Sequence, residues 1–397
     1  MNNKIKLYIV SMLLAGLFIM SSVISVRAQE TNFDQDSNFD QISVPGELGL
    51  EKGDSYSNYY KARVVEIIGS GKNLDPSDPS FDQYRQEVLV TFLDGPEKGS
   101  SRTVSYDIKS SDPNERLEVG EKVYVVKVFD GISTSYYVPD RYRLDTIYWL
   151  AGIFFLIVIA AARFKGFGAL LGLVFSFFVI IKFILPRILA GDNPLLVCLV
   201  GALAIAIVSI YIAHGFKART TLAVISTVII IGFTTALDYF VVHFTKLFGI
   251  GSEEAVYAQF GGAGIINLRG LLLGGIIIGV LGVLDDITTA QAAVVDELRL
   301  ANPSLSFKEL YRRGTSVGRE HIVSLINTLV LAYVGASFPL VLLFRQSEQP
   351  ISFVLNSHLV AEEIVRSLIG STALIMAVPL TTALSAYIFS RYKSWGR

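Results

Sequence analysis

The sequence predicts an α-helical polytopic membrane protein of about seven transmembrane helices, preceded by a small N-terminal β-barrel-like domain of the OB or SH3 type. Three observations carry this. Of 397 residues, 52% are hydrophobic and only 17% charged, against about 25% charged in ordinary soluble domains. The deficit is uneven: residues 30–145 read as soluble protein, and charge is missing mainly after Thr146. Apolar runs of about 20 residues, enough to cross a hydrocarbon core, recur through that second part.

At the start, Lys4 and Lys6 precede an apolar run from Leu7 to about Ile24, then Val26-Arg27-Ala28. A basic start, apolar centre and small residues before a cut make a secretory signal over 1–28. The run is long enough that a retained anchor helix is the alternative, and both readings export the segment after it. Residues 29–57 are polar, rich in Asp, Asn, Ser and Gln, and form a flexible linker.

Residues 58–142 carry five β-type runs: Lys61–Ile68, Glu87–Phe92, Ser101–Tyr106, Lys122–Phe129 and Thr134–Val138. β-branched and aromatic residues between Gly, Pro, Asp and Asn are strand signals, and Asp94-Gly95-Pro96 marks a turn. Five short strands fit a small extracytoplasmic barrel, read as a folded cap or a ligand-binding module.

Spans are expected at 146–162, 167–186, 194–213, 220–243, 267–286, 322–344 and 364–389, within a helical domain over 145–390. Basic residues collect on alternate loops: Arg163 and Lys165; Lys217 and Arg219; Arg299, Lys308, Arg312, Arg313 and Arg319; then Arg391, Lys393 and Arg397 in the tail over 391–397. The positive-inside rule makes those loops and the C-terminus cytoplasmic. Trp149 and Trp395 fall near opposite interfaces.

The net charge of −1 gives no general attraction to nucleic acid. The one cysteine, Cys198, excludes an internal disulfide and a thiolate zinc cluster. No phosphate-binding loop, zinc-protease helix or nucleophile elbow is present, so neither an enzyme nor a cofactor is expected; any metal is left open.

The candidate polar residues lie on the fifth and sixth spans. Asp285 and Asp286 close an apolar run, and a helix points them about 100° apart, so one can face inward while the other faces water. With Thr289 they offer hard oxygen ligands or a proton relay, although by length they sit near the cytoplasmic interface. Glu320, Ser324 and Asn327 form one polar stripe leading into the membrane, and Arg319 and His321 are placed to pair with the aspartates. Gly275, Gly279 and Gly282 give a face for close helix approach. Pro339 and Pro379 remove backbone donors and make kinks or hinges, with Thr381 and Thr382 near enough to serve the carbonyl freed by Pro379. Asp238 and His243 read as interfacial, His214 with Lys217 and Arg219 as an anchor, and Arg366, Ser367, Gly370 and Ser371 as a small polar face.

Several motifs together resemble the YibE/F family of bacterial multi-pass membrane proteins. They are Gly279-Val-Leu-Gly-Val-Leu-Asp-Asp-Ile-Thr-Thr289, Gly318-Arg-Glu-His321, Asn327-Thr-Leu-Val-Leu-Ala-Tyr-Val-Gly335 and Glu363-Ile-Val-Arg-Ser-Leu-Ile-Gly-Ser371. Lys182–Pro186, Gly191–Pro194 and His214–Phe216 add to it. The resemblance covers nearly all of 145–390, with Glu320 standing where the family motif usually carries Asp. It implies a bacterial cell-membrane protein and nominates residues; it implies no activity.

The expected function is transport or permeation of an unidentified ion or small solute. The alternative is a partner-binding or regulatory envelope protein whose barrel recognises an envelope component. The lipid bilayer is the expected surround, and an envelope protein or a second copy the candidate partner.

Overall fold

The computed structural model describes residues 59–73, 83–108, 115–129, 134–260, 266–346 and 349–391. The expected leader, the linker and the tail beyond Arg391 lie outside these residues. The chain divides into two compact units, Glu30–Leu156 and a second one containing Ile157–Arg397.

The first unit is a closed five-stranded barrel. Its strands are β1 (Tyr59–Asn73), β2 (Gln83–Phe92), β3 (Ser101–Ile108), β4 (Lys122–Phe129) and β5 (Thr134–Arg141). They close in the order β1-β2-β3-β5-β4, all neighbours antiparallel except β3 and β5, which run parallel at Ser105 and Tyr137. Strand alternation sends every second residue inward. The core accordingly takes Val88, Val90 and Phe92 from β2, Val104, Tyr106 and Ile108 from β3, and Val123 and Val125 from β4. β1 is longer than the expected run. It absorbs register shifts between Val64 and Glu66 and between Ile67 and Gly69, then pairs with β2 as far as Asn73. In the predicted turn, Gly95 has φ +76° with its α-carbon against the Tyr60 ring, where a side chain would collide.

The second unit is helical. Its elements are α1 (Leu144–Val179, whose first turns belong to the barrel unit), α2 (Leu185–Leu189), α3 (Pro194–His214), α4 (Ala218–Phe244), α5 (Glu253–Phe260), α6 (Leu268–Ala301), α7 (Phe307–Ala336), α8 (Phe338–Gln346), α9 (Ile351–Asn356) and α10 (His358–Arg391). Their length and composition give five helices able to cross a membrane: Leu144–Leu189, α3, α4, α6 and α10. The bent pair α7–α8 makes a sixth if it is one span.

About seven were expected, and the difference has a local cause. The first two expected spans form one run, Leu144–Leu189, broken at Arg163, whose φ of 52° and ψ of −132° are not helical. A β-carbon on Gly166 would lie 2.6 Å from the Val158 carbonyl oxygen. Eight residues of straight helix would separate them by about 12 Å, so the chain doubles back at Arg163. Between α1 and α2, Ile180–Ile184 widen into a π turn, which accommodates the missing N–H of Pro186.

The expected sixth span, 322–344, is two helices bent by 64°. The break at Ser337 falls just before Pro339, which lies in the first turn of α8, where its missing donor is harmless. Pro379 instead sits inside an unbroken α10.

Candidate functional site

α6 places the expected residues on different faces. Asp285 turns inward, where the Ser209 hydroxyl of α3 donates to its Oδ2 at 3.4 Å. Its Oδ1 is enclosed with no hydrogen-bond partner among the described residues. Asp286 is exposed. Thr289 donates to the Asp285 backbone carbonyl at 2.8 Å. Asp296 pairs with Arg299 at 3.1 Å.

Gly275, Gly279 and Gly282 are exposed, and among the described residues no other helix fills the space beside Gly275 or Gly282. The close approach expected of them occurs one position over. A β-carbon on Gly274 would lie 2.5 Å from Cys198 Sγ, and one on Gly270 would lie 3.2 Å from Pro194 Cδ. α3 therefore packs on the 270/274 edge, because Pro194 and Cys198 bring a bulky ring and a sulfur against α6 there.

α7 is anchored by its first turns. Ser306 caps it, with Glu309 completing a capping box. Gly314 and Gly318 are buried against Gln291 of α6 and Thr382 and Val378 of α10. Gln291 Nε2 donates to the Gly314 carbonyl at 2.9 Å and to Thr382 Oγ1 at 2.7 Å. Thr382 in turn donates to the Val378 carbonyl at 2.6 Å. That hydroxyl is thus not spent on Ile375, whose carbonyl lost its partner to Pro379; Thr381 Oγ1 has no partner among the described residues. Beyond Gly318 the stripe opens outward: Arg319, Glu320, His321, Ser324 and Asn327 are all exposed. Among the described residues, neither Arg319 nor His321 pairs with Asp285 or Asp286.

A second polar set, between α4, α6 and α10, is the more enclosed one. Asp238 of α4 is 0% exposed, and neither carboxylate oxygen has a partner among the described residues. It is buried between helices near the end of α4, while His243, five residues on, is exposed. Thr234, one turn before Asp238, is 1% exposed and its hydroxyl is unpartnered. Thr227 shares a 2.8 Å hydrogen bond with Thr288 of α6. Thr220 of α4 and Thr381 and Ser385 of α10 are buried, their hydroxyls without partners among the described residues.

Helix pairing fixes the levels of these groups. α4 and α6 are antiparallel, joined at Thr227–Thr288 and again at Arg219–Glu297, 3.6 Å apart. α6 and α10 are parallel, joined at Gln291–Thr382 and where Arg299 lies 4.9 Å over the Phe389 ring. Carried along, these registers set Asp238 level with Ile277 and within about a turn of Arg366. They also set Thr220 level with Ser385. The polar groups therefore run along the helix interface from Thr220 to Asp238, about 27 Å at about 1.5 Å per residue. Beyond Asp238, Glu362 accepts from the Gly249 N–H at 3.0 Å and Arg366 pairs with Glu363 at 3.3 Å.

Asp238, Arg366 and Thr381 stand out in the sequence, whereas Thr220, Thr227, Thr234 and Ser385 do not. Thr220, Thr227, Thr234 and Asp238 stand at i, i+7, i+14 and i+18, one face of a helix, and that spacing was the available signal. No group of three or more His, Cys, Asp or Glu able to hold a metal ion occurs among the described residues.

The apolar helices and the polar interior define a polytopic helical membrane protein joined to a small β-barrel. A family model described as YibE/F-like protein matches residues 150–391, and the chain belongs to that family. No curated protein and no solved structure matches the chain.

Proposed function

We propose that this chain is a transporter or permease-like protein that moves an ion or small solute through the interface of α4, α6 and α10. The supporting observation is Asp238, a fully buried carboxyl without a hydrogen-bond partner among the described residues, at one end of a row of buried hydroxyls. Buried polar groups are nearly always paired, and an exception asks for a reason. Ionisable groups inside membrane helices commonly mark ion pathways. Asp285, with one oxygen on Ser209 and one unpartnered, is a second polar point beside the same helix.

In this reading the helical unit crosses a bacterial cytoplasmic membrane seven times. Leu144–Leu189 counts as two spans turning at Arg163, and α7–α8 counts as one. The barrel is then extracytoplasmic, exported by a cleaved leader over residues 1–28, and the C-terminus cytoplasmic.

The test is charge movement by purified protein in liposomes on a solid support, stepped through pH, ions and small solutes. Wild type is expected to give a current for at least one species, and Asp238→Asn none. Silence for every species from folded protein would refute the reading. It would leave recognition by the barrel, whose strand order is that of the ligand-binding OB type and whose β1 and β2 expose Ile67, Ile68 and Tyr84.

A further inference from the structure

We infer that the species carried at Asp238 is the proton, with Arg366 as the cation that stabilises the carboxylate once the proton has left. This rests on the transport reading above. It follows from the surroundings of the carboxyl. An isolated carboxylate in a dry interior is strongly disfavoured, so such a group is neutral or has a cation beside it. Among the described residues Asp238 has no hydrogen-bond partner, and the helix registers set it within about a turn of Arg366 on α10. Arg366 spends one nitrogen on Glu363 at 3.3 Å, while its buried Nε has no partner among the described residues. In this proposal that Nε–H is the donor that turns to a deprotonated Asp238.

A metal ion fits poorly. Hard cations take about six or more oxygen ligands, and the set here is one carboxyl and the Thr234 hydroxyl a turn away. The guanidinium adds repulsion. A proton needs only one carboxyl at a time and neighbours that both donate and accept, which hydroxyls do.

α3, which packs on α4, has Cys198 as its one titratable side chain over residues 194–210. From α10 come Arg366, paired with Glu363, and Glu362, held by Gly249. α6 brings no titratable side chain between Gly274 and Ile278, the stretch level with Asp238. α7 brings Tyr333, which is influenced by Arg366 and Glu363, and His243 on α4 itself is exposed. In the step proposed, the Asp238 O–H bond breaks, the proton passes to water or a hydroxyl of the row, and the carboxylate pairs with Arg366. Reprotonation returns Arg366 to Glu363.

The experiment uses the full-length protein in liposomes holding a pH-sensitive dye, with a potassium gradient and valinomycin setting the membrane potential. Sodium and calcium uptake are measured in parallel. Expected are acidification driven by the potential in wild type, its retention in Asp238→Glu, and its fall to the level of protein-free liposomes in Asp238→Asn. Arg366→Gln, which no longer supports the carboxylate, is expected to move the pH profile of flux to the alkaline side. Cooperative thermal unfolding of each variant shows that it is folded. Sodium or calcium uptake without proton movement, lost in Asp238→Asn, would overturn the proton and keep the transporter. Wild-type protein that is folded yet moves none of these ions overturns the proton, and solute currents on the solid support then decide the transport reading separately.

Discussion

Glu97 and Asp238 show how far the surroundings of a carboxylate decide its role. Glu97 sits on the barrel within reach of three donors: the Tyr136 hydroxyl at 2.6 Å, Lys127 at 3.1 Å and Arg102 at 3.2 Å. The Tyr136 hydrogen bond foremost, then those of Lys127 and Arg102, outweigh burial and pull its carboxyl from 4.5 down to about 2. Because the folded value is the lower one, Glu97 stabilises the barrel above the unfolded value, and that contribution fades as pH falls from about 4.5 toward about 2. Hydrogen exchange in β3–β5 should therefore be faster in Glu97→Gln than in wild type at pH 5. The difference should close by pH 2, and a gap independent of pH would show that Glu97 acts by packing alone. Asp238 has no such donors, and this contrast was only half legible. An acid inside an apolar run is conspicuous, whereas Thr220, Thr227 and Thr234 blend into a Val- and Ile-rich helix because threonine resembles valine in shape. The same difficulty affected Asp285 and Asp286. Their divergence followed from the helix angle alone, but which of the two meets Ser209 depends on a helix 76 residues earlier in the chain.

Among the elements, the helices were legible from length and composition, and their contacts were not. Gly275 and Gly279 have the spacing of a packing face, yet so do Gly270 and Gly274. The choice between them is made by Pro194 and Cys198, which no pattern within α6 records. The two edges should respond oppositely to a methyl group. Gly274→Ala would put its β-carbon against Cys198 Sγ, and overpacking of this kind costs about 1–3 kcal/mol. Gly275→Ala meets open space and removes a helix-interior glycine, which is worth about 1 kcal/mol. Thermal unfolding in detergent should lower the midpoint of the first variant and hold or raise that of the second. Equal losses would mean that the 275/279 edge is packed after all. The breaks were partly legible: Pro339 announces a disruption, and the helix parts at Ser337 just ahead of it, but nothing in Ala161-Ala-Arg-Phe164 marks a reversal.

For the whole molecule, the number of crossings turns on that reversal. If Leu144–Leu189 were one straight span, the count would be six with α7–α8, and the barrel and Arg391 would share a side of the membrane. The Gly166 contact with Val158 argues otherwise, since the two residues meet only if the chain folds back between them. Basic residues agree: Arg163 and Lys165 at the turn, Lys217 and Arg219 at the start of α4, and Arg312 and Arg313 in α7 belong to one side under a seven-span count. The single native thiol is buried against Gly274, so an introduced cysteine can be read against a quiet background. Ser135→Cys on β5 and Ser390→Cys near the end of α10 should be labelled by an impermeant maleimide from opposite sides of sealed, oriented vesicles. The thiol of Arg163→Cys should react from the same side as that of Ser390→Cys. Labelling of the β5 and α10 positions from one common side would leave an even number of crossings and remove the reversal at Arg163 from the topology.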